Sequence, residues 1–542
     1  MSRCTWRIKT LLLGGVLLSL AGAHAVVDVA SEPFFNSDET RHVMTGVFFR
    51  DLFAEMPVCH LRDYTIRYYL QYPALSLLIW PPFFYVVEGV AMLFLGCGMW
   101  AAKATVAVFA AMACTYLFRL VCRTHDAWTA AVAVLIFGFA PQIFTYSRQV
   151  MLEMPTLACA LAAIFHFVRY LDTGWRRDIF FAALAAACAA LTRFDAVYLL
   201  PFFLLLLAMR GRLGLLRQKD VLLAAALALA LVVPVYGLTF LEIGGGHLRS
   251  IEAGNDVSSG FFGLKNLLFY PNCVLRQLGW FALVSACVAI IAAAKTGLQN
   301  SGPYAAMLVT TFITFAFLGI VEARHAIYWV PAFTFFAAAG VAFASHMFGG
   351  WLHPALASLV IGGTCWTACQ TPAPFVRGYE AVARYVVANN NSSPFCLVDT
   401  YLEGNLLYYI RLHDAQRRLW VLRGDKLFYS VMSDPSYAYV EHVKDQAAIL
   451  AEIFQYDPEM IVIEDPRLGP ALPMADKLRA AIREHPERFQ LEKVFDIDSN
   501  QATFAGAKLK VYRNLLRNPA SAHRVDIDML WLRRRLGISV PQ

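Results

Sequence analysis

About eleven apolar runs, each near the length needed to cross a bilayer, follow one another along this chain up to residue 371. They lie at 8–30, 100–121, 127–144, 154–171, 179–194, 196–209, 221–240, 277–294, 304–321, 326–344 and 353–371. A backbone in hydrocarbon must satisfy its own hydrogen bonds, so runs of this length commit to helices. Composition agrees: 58% of the residues are hydrophobic and 16% charged, against roughly 45–50% and 25% in a soluble domain. The expected fold class is mostly α, polytopic transmembrane, with a smaller soluble domain behind it.

The short loops orient the spans. Arg3, Arg7 and Lys9, Arg119 with Arg123, Arg176 with Arg177, the stretch 210–219 and Lys295 fall on alternate loops. The positive-inside rule makes that side cytoplasmic. The opposite side then holds loop 31–99, the turns 146–153 and 192–195, loop 241–276, the turn 322–325 and everything after Pro372. Ala23-His24-Ala25 matches a signal-peptidase site, but the largely apolar stretch runs on to Ala30, so the segment is read as an uncleaved span with a cytoplasmic N-terminus. The net charge of +7 fits cytoplasmic Lys and Arg in membrane loops rather than nucleic-acid binding. The 12 cysteines are scattered, mostly within apolar runs, and show no metal-ligand spacing.

A full span within 31–99 would reverse the charge bias of every later loop. Its apolar part, from Trp80-Pro81-Pro82-Phe83 to Leu95, is therefore read as interfacial helix. After Pro372 charged residues become frequent. Strands are expected at Phe395–Val398, Leu419–Leu422, Met460–Ile463 and Lys508–Tyr512, and helices at Leu402–Ile410, Asp445–Phe454 and Ala475–Arg483. The division is a transmembrane domain over 1–371 and an α/β domain over 372–542. The basic stretch Leu530–Leu536 at its end is expected to be an amphipathic surface helix. Neither G-x-G-x-x-G nor a P-loop occurs, so a nucleotide site is unsupported.

Every polar cluster beside a span falls on one side of the membrane. Asp38, Glu39, Arg41 and His42 follow the first span; the plain reading is a solvated end, the functional one a general base for attack by a hydroxyl. Arg148 precedes Glu153, which opens a helix with Pro155; capping explains Glu153 and lipid headgroups explain Arg148, unless the pair holds a phosphate and a sugar. Arg193 and Asp195 interrupt an apolar hairpin, as an internal ion pair or as a functional one. Glu322, Arg324 and His325 form a late turn, either solvated or presenting a guanidinium to a phosphate. His247 and the glycines before it suggest a mobile cover or acceptor contact in loop 241–276.

These residues resemble a known family. Asp38-Glu39 just after the first span, Trp80-Pro81-Pro82-Phe83 with Phe94-Leu95-Gly96, Ser147-Arg148 with Glu153-Met154-Pro155, and Arg324-His325 are similar, in order and sidedness, to motifs of the GT-C glycosyltransferases, specifically the protein O-mannosyltransferase-like group (glycosyltransferase family 39). The chain also resembles bacterial aminoarabinose and lipopolysaccharide-core transferases. The resemblance covers about residues 1–345. Some members carry Lys before the Pro-Pro where this chain has Trp80, which moves a phosphate role to Arg148, Arg193 or Arg324.

The resemblance implies a polyprenyl-phosphate-linked sugar as donor and inversion at the anomeric carbon. Asp38 becomes the catalytic base with Glu39 assisting; Arg148, Arg193 and Arg324 become donor-phosphate ligands; Arg41, His42, Glu153, Asp195 and His325 become substrate contacts. The expected setting is a bacterial inner membrane, with lipid, glycan or protein as acceptor and membrane lipids as neighbours. No cofactor is required by the sequence; a divalent cation on the paired carboxylates is open. The reading from another class is a transporter or flippase of lipid-linked sugars, although internal repeats and broken mid-membrane helices are not evident in the sequence.

Overall fold

The computed structural model describes residues 3–27, 34–35, 37–243, 263–296, 301–316, 322–371, 374–431, 439–518, 524–529 and 534–540. Asp28, Gly244–Gly246, His247 and Leu530–Arg533 lie outside the described residues.

Among the described residues, each expected span falls largely on helix. Six helices among the described residues are long and apolar enough to cross a membrane: Ile8–Ala25, Met99–Thr124, Glu153–Thr173, Lys219–Glu242, Ala323–Phe348 and Gly350–Cys369. A seventh arises if Leu264–Leu278 and Trp280–Ala293 count as one span bent by 119°. The hinge of that pair is Gly279, at φ +78, a region open to glycine without steric cost. Shorter apolar helices at Phe83–Leu95, Ala127–Phe139, Phe194–Met209 and Gly302–Ala316 fill in around them. The run expected at 127–144 breaks at Ala140 and restarts as Pro141–Tyr146, because proline lacks the amide that would continue the first helix.

Burial ranks the helices. Glu153–Thr173 is 89% buried and Ala323–Phe348 83%, whereas Lys219–Glu242 is 6% buried. The two buried helices form the centre of the bundle, and both begin at a charged turn.

Loop 31–99 forms helices at Ser37–Glu55, Leu61–Gln71 and Phe83–Leu95. The first and last pack closely because two glycines let them. A Cβ on Gly89 would lie 2.7 Å from the Phe49 Cβ and 2.9 Å from the Arg50 backbone nitrogen.

The second part is an α/β unit. Its five-stranded sheet runs Trp420–Arg423, Phe395–Asp399, Met460–Asp465, Lys508–Asn514, Phe489–Asp496. The first three strands are parallel and the last two antiparallel to their neighbours. Phe395 and Leu397 join one apolar core, Cys396 and Val398 another that is continuous with the membrane helices, as the period-two geometry of a strand requires. The four expected strands and three expected helices are present; the strand Phe489–Asp496 and the helix Tyr379–Asn389 add to them.

The amphipathic-helix reading of the basic tail is corrected for Arg534–Leu536, the part of it among the described residues. Arg534–Ser539 is a strand paired antiparallel with Arg524–Met529. Val525 and Ile527 point inward at alternate positions, a period of two that the Arg-rich stretch conceals.

The two parts are joined by ions. Asp51 is buried and accepts from Arg50, Arg411 and the Tyr68 hydroxyl, while Arg417 pairs with Glu55. Gln71 donates to the carbonyls of Arg417 and Leu419.

Gly89→Ala is expected to wedge Phe83–Leu95 away from Ser37–Glu55 and destabilise the protein by about 1–3 kcal/mol. Gly237→Ala, where a Cβ meets open space, leaves thermal unfolding in detergent unchanged or slightly raised.

Candidate active site

Four segments far apart in sequence converge at one end of the bundle: the start of Ser37–Glu55, the first residue of Glu153–Thr173, the turn 192–195 and the turn 322–325. Arg324 sits between them. Its Nη1 donates to Asp38 Oδ2 at 3.3 Å, its Nε lies 3.8 Å from Glu153 Oε1, and it pairs closely with Glu322. Glu153 in turn accepts from Arg193, and Arg193 Nη2 donates to Asp195 Oδ2 at 2.6 Å. The result is a line of alternating charge, Asp38–Arg324–Glu153–Arg193–Asp195. Glu153 and Arg193 are almost wholly buried within it.

Packing aims each member. Trp80 lies over the Arg193 guanidinium, 5.0 Å from ring to charge, and packs against Phe194. The position where a lysine was looked for thus carries the ring that orients an arginine. The turn bearing Arg324 is held by two amides: Gln142 and Gln277 both donate to the Ala323 carbonyl, at 2.9 and 2.8 Å. The Trp329 indole N–H donates to Gln277 Oε1 at 2.6 Å and fixes its orientation.

Asp38 and Glu39 face different partners. Successive helical residues diverge by about 100°. Asp38 reaches Arg324 and lies 3.9 Å from Arg41. Glu39 is buried and accepts from two backbone amides, Phe35 N–H through Oε2 and Val150 N–H through Oε1, both at 3.1 Å. It fastens the turn 146–153 to the start of its own helix.

Burial alone would raise the Asp38 pKa; the guanidinium charges of Arg41 and Arg324 outweigh it and hold the carboxyl below its ordinary value. His42 is buried one turn on, with Nδ1 2.7 Å from the Tyr85 hydroxyl. Burial pushes its pKa down to about 4 against the pull of Asp38 and Glu153, so it is neutral at physiological pH. Arg41 bridges outward, 3.6 Å from Glu403 Oε1. Glu403 opens a helix of the α/β unit and also accepts from Arg423, so the second unit reaches the rim of the site.

The remaining candidates lie at the edges. The His325 ring stacks on Phe315 beside the Arg324 turn. Arg148 is buried, with Nε donating to the Phe144 carbonyl and the guanidinium over the Phe144 ring; these contacts hold it against its own turn. Glu403, Trp80, Gln142 and Gln277 are the residues that the sequence did not assign to this place. Among the described residues, no group of three or more His, Cys, Asp or Glu side chains is placed to hold a metal ion; the carboxylates are paired with guanidinium groups instead.

Residues 80–237 match the family model described as dolichyl-phosphate-mannose-protein mannosyltransferase. The structure superposes on ArnT from Cupriavidus metallidurans bound to undecaprenyl phosphate, with a TM-score of 0.62 and 13% identity, covering 93% of this chain and 100% of that one. This is the GT-C glycosyltransferase fold. The GT-C likeness extends to an oligosaccharyltransferase from Archaeoglobus fulgidus, with a TM-score of 0.52 and 12% identity over 83% of this chain and 69% of that one. No curated protein sequence matches the chain.

The depressed His42 pKa has a definite sign. The unfolded chain takes up this proton near pH 6.5, the folded one only near pH 4, so the folded state loses stability as pH falls between those values. At pH 5 the loss is of order 1–2 kcal/mol. Melting temperatures at pH 7 and pH 5 should show a smaller drop for His42→Gln than for the wild type. In a separate test, Glu39→Ala strands two backbone amides and is expected to cost about 1–3 kcal/mol for each that stays buried, read as a lower melting temperature.

Proposed function

We propose that this GT-C chain is an inverting glycosyltransferase that moves a monosaccharide from a polyprenyl-phosphate-linked donor to an acceptor hydroxyl. The supporting observation is the 3.3 Å contact between Asp38 and Arg324. It supports the reading because single displacement at an anomeric carbon needs a base and a cation for the leaving phosphate within one site, and Asp38 and Arg324 are the side chain types that could serve. The family match over residues 80–237 and the ArnT bound to undecaprenyl phosphate support the donor class.

In this reading Asp38 accepts the acceptor's hydroxyl proton as the oxygen attacks the anomeric carbon. The bond from that carbon to the phosphate oxygen breaks on the opposite face, and the polyprenyl phosphate leaves with the bonding pair. Arg324 and Arg193 stabilise the charge that develops on the leaving phosphate. Before donor binding Arg324 is shared among Asp38, Glu153 and Glu322. An arriving phosphate competes with these carboxylates, and Asp38 gains basicity as its partner turns away. Glu153 and Asp195 hold Arg193, and Glu39 sets the distance between the base and the turn 146–153. Arg41, His42, His325 and Arg148 shape the surrounding wall. The reaction face is the one opposite the Lys- and Arg-rich loops, which corresponds to the periplasm of a bacterial inner membrane. The α/β unit, residues 372–542, stands over that face. The acceptor is a hydroxyl of a lipid, glycan or protein.

The test is incubation of purified protein with a panel of polyprenyl-phosphate sugars and candidate acceptors, with mass analysis of the products. One added monosaccharide and free polyprenyl phosphate are expected. Asp38→Asn should lower turnover by about 10²–10⁴-fold with unchanged melting behaviour. Wild-type turnover in that variant would remove Asp38 from the role of base.

A further inference from the structure

Away from the Asp38–Arg324 site, a cavity of about 260 Å³ opens where the α/β unit meets the first long loop. It is lined by Val47 and Arg50 of Ser37–Glu55, by Cys97, and by Tyr408, Arg411 and Ala415 of the α/β unit. Two guanidinium groups line it, both bound to the buried Asp51: Arg50 Nη1 donates to Oδ1 at 2.8 Å and Arg411 Nη2 to Oδ2 at 2.5 Å. One carboxylate against two cations leaves a positive charge at the wall. Arg50 Nε is buried and meets no hydrogen-bond partner among the described residues. The Arg50 side chain is nevertheless 37% exposed, so it can turn toward a ligand.

The position of the cavity defines that ligand further. Cys97 comes two residues before Met99–Thr124, a helix long and apolar enough to cross a membrane. The residues on either side of it are apolar and open: Phe94 is 83% and Trp100 59% exposed. A cationic cavity with an apolar border at the mouth of a span suits an amphiphile with an anionic head. We propose that this cavity holds the phosphate head of an anionic membrane phospholipid, with its acyl chains along Phe94, Leu95 and Trp100. The head bridges Arg50 of the loop and Arg411 of the α/β unit, and so fastens that unit to the bilayer surface.

The probes are dihexanoyl phosphatidylglycerol, dihexanoyl phosphatidylcholine and inorganic phosphate, each titrated into delipidated full-length protein while thermal unfolding is followed. A ligand that binds the folded state raises the melting temperature with concentration. Phosphatidylglycerol should raise it by several degrees, phosphatidylcholine should do so at least tenfold less potently, and inorganic phosphate should have little effect. Arg50→Gln should shift the phosphatidylglycerol midpoint at least tenfold upward. Ala415→Trp, which fills the cavity without removing a charge, should do the same if Arg50→Gln folds poorly. Equal responses of wild type and both variants would overturn the site. An inorganic-phosphate response matching phosphatidylglycerol would overturn the lipid assignment in favour of a free anion, and equal potency of phosphatidylcholine would overturn the requirement for net negative charge.

Discussion

The structure depends on a line of alternating charges set where the helices end. Glu153 and Arg193 are buried with almost no contact with water, and neither tolerates that alone: an unpaired buried ion costs several kcal/mol. Each neutralises the other, with Asp195 as a second partner of Arg193, and through Arg324 both are tied to Asp38. Glu153 draws its partners from two other turns, so the complete line needs four chain segments together. The ion line adds little net stability, since desolvation offsets most of the attraction. What it supplies is registration of the two most buried helices against the loop helix Ser37–Glu55.

Neutral groups complete the registration. Two glutamine amides converge on a single carbonyl, that of Ala323, so the Arg324 turn is set from two helices at once. A carbonyl has two lone pairs, and both are used. Trp80 supplies the face against which Arg193 lies flat. A lysine there would bring a second cation beside Arg193; an aromatic ring instead leaves the arginine as the local positive group.

Much of this was legible in the sequence because charge at membrane depth is rare. Asp38, Arg193, Asp195 and Arg324 stood out against apolar surroundings, and the positive-inside rule put them on one face before any fold was known. The amides Gln142 and Gln277 were silent, since an isolated glutamine in an apolar run carries no periodicity and no charge. Glu403 belongs to a different unit, and nothing in its local pattern points toward Arg41. Asp38 and Glu39 read as a pair because they are adjacent, yet adjacency on a helix separates their directions. In the α/β unit the buried strands announced themselves as apolar runs. The edge strand Phe489–Asp496 did not, because Glu492 and Lys493 interrupt its apolar residues, as charges commonly do on edges. The Arg-rich tail looked helical because Leu and Arg are good helix formers, whereas pairing with Arg524–Met529 decided its form.

One feature of the core bears on how the molecule is made. Leu70 and Ile66, on the loop helix Leu61–Gln71, pack into the core that holds Phe395, Leu397 and Ile461, and Gln71 bonds to a carbonyl 346 positions further along. During synthesis the loop helix emerges long before the sheet that covers it. Until that sheet is made, the apolar face of the helix has no cover. Such a face is sticky in an incomplete chain. The α/β unit, once made, covers that face with its own core. Separating residues 372–542 from the rest would thus yield a domain with a missing wall rather than a smaller complete one.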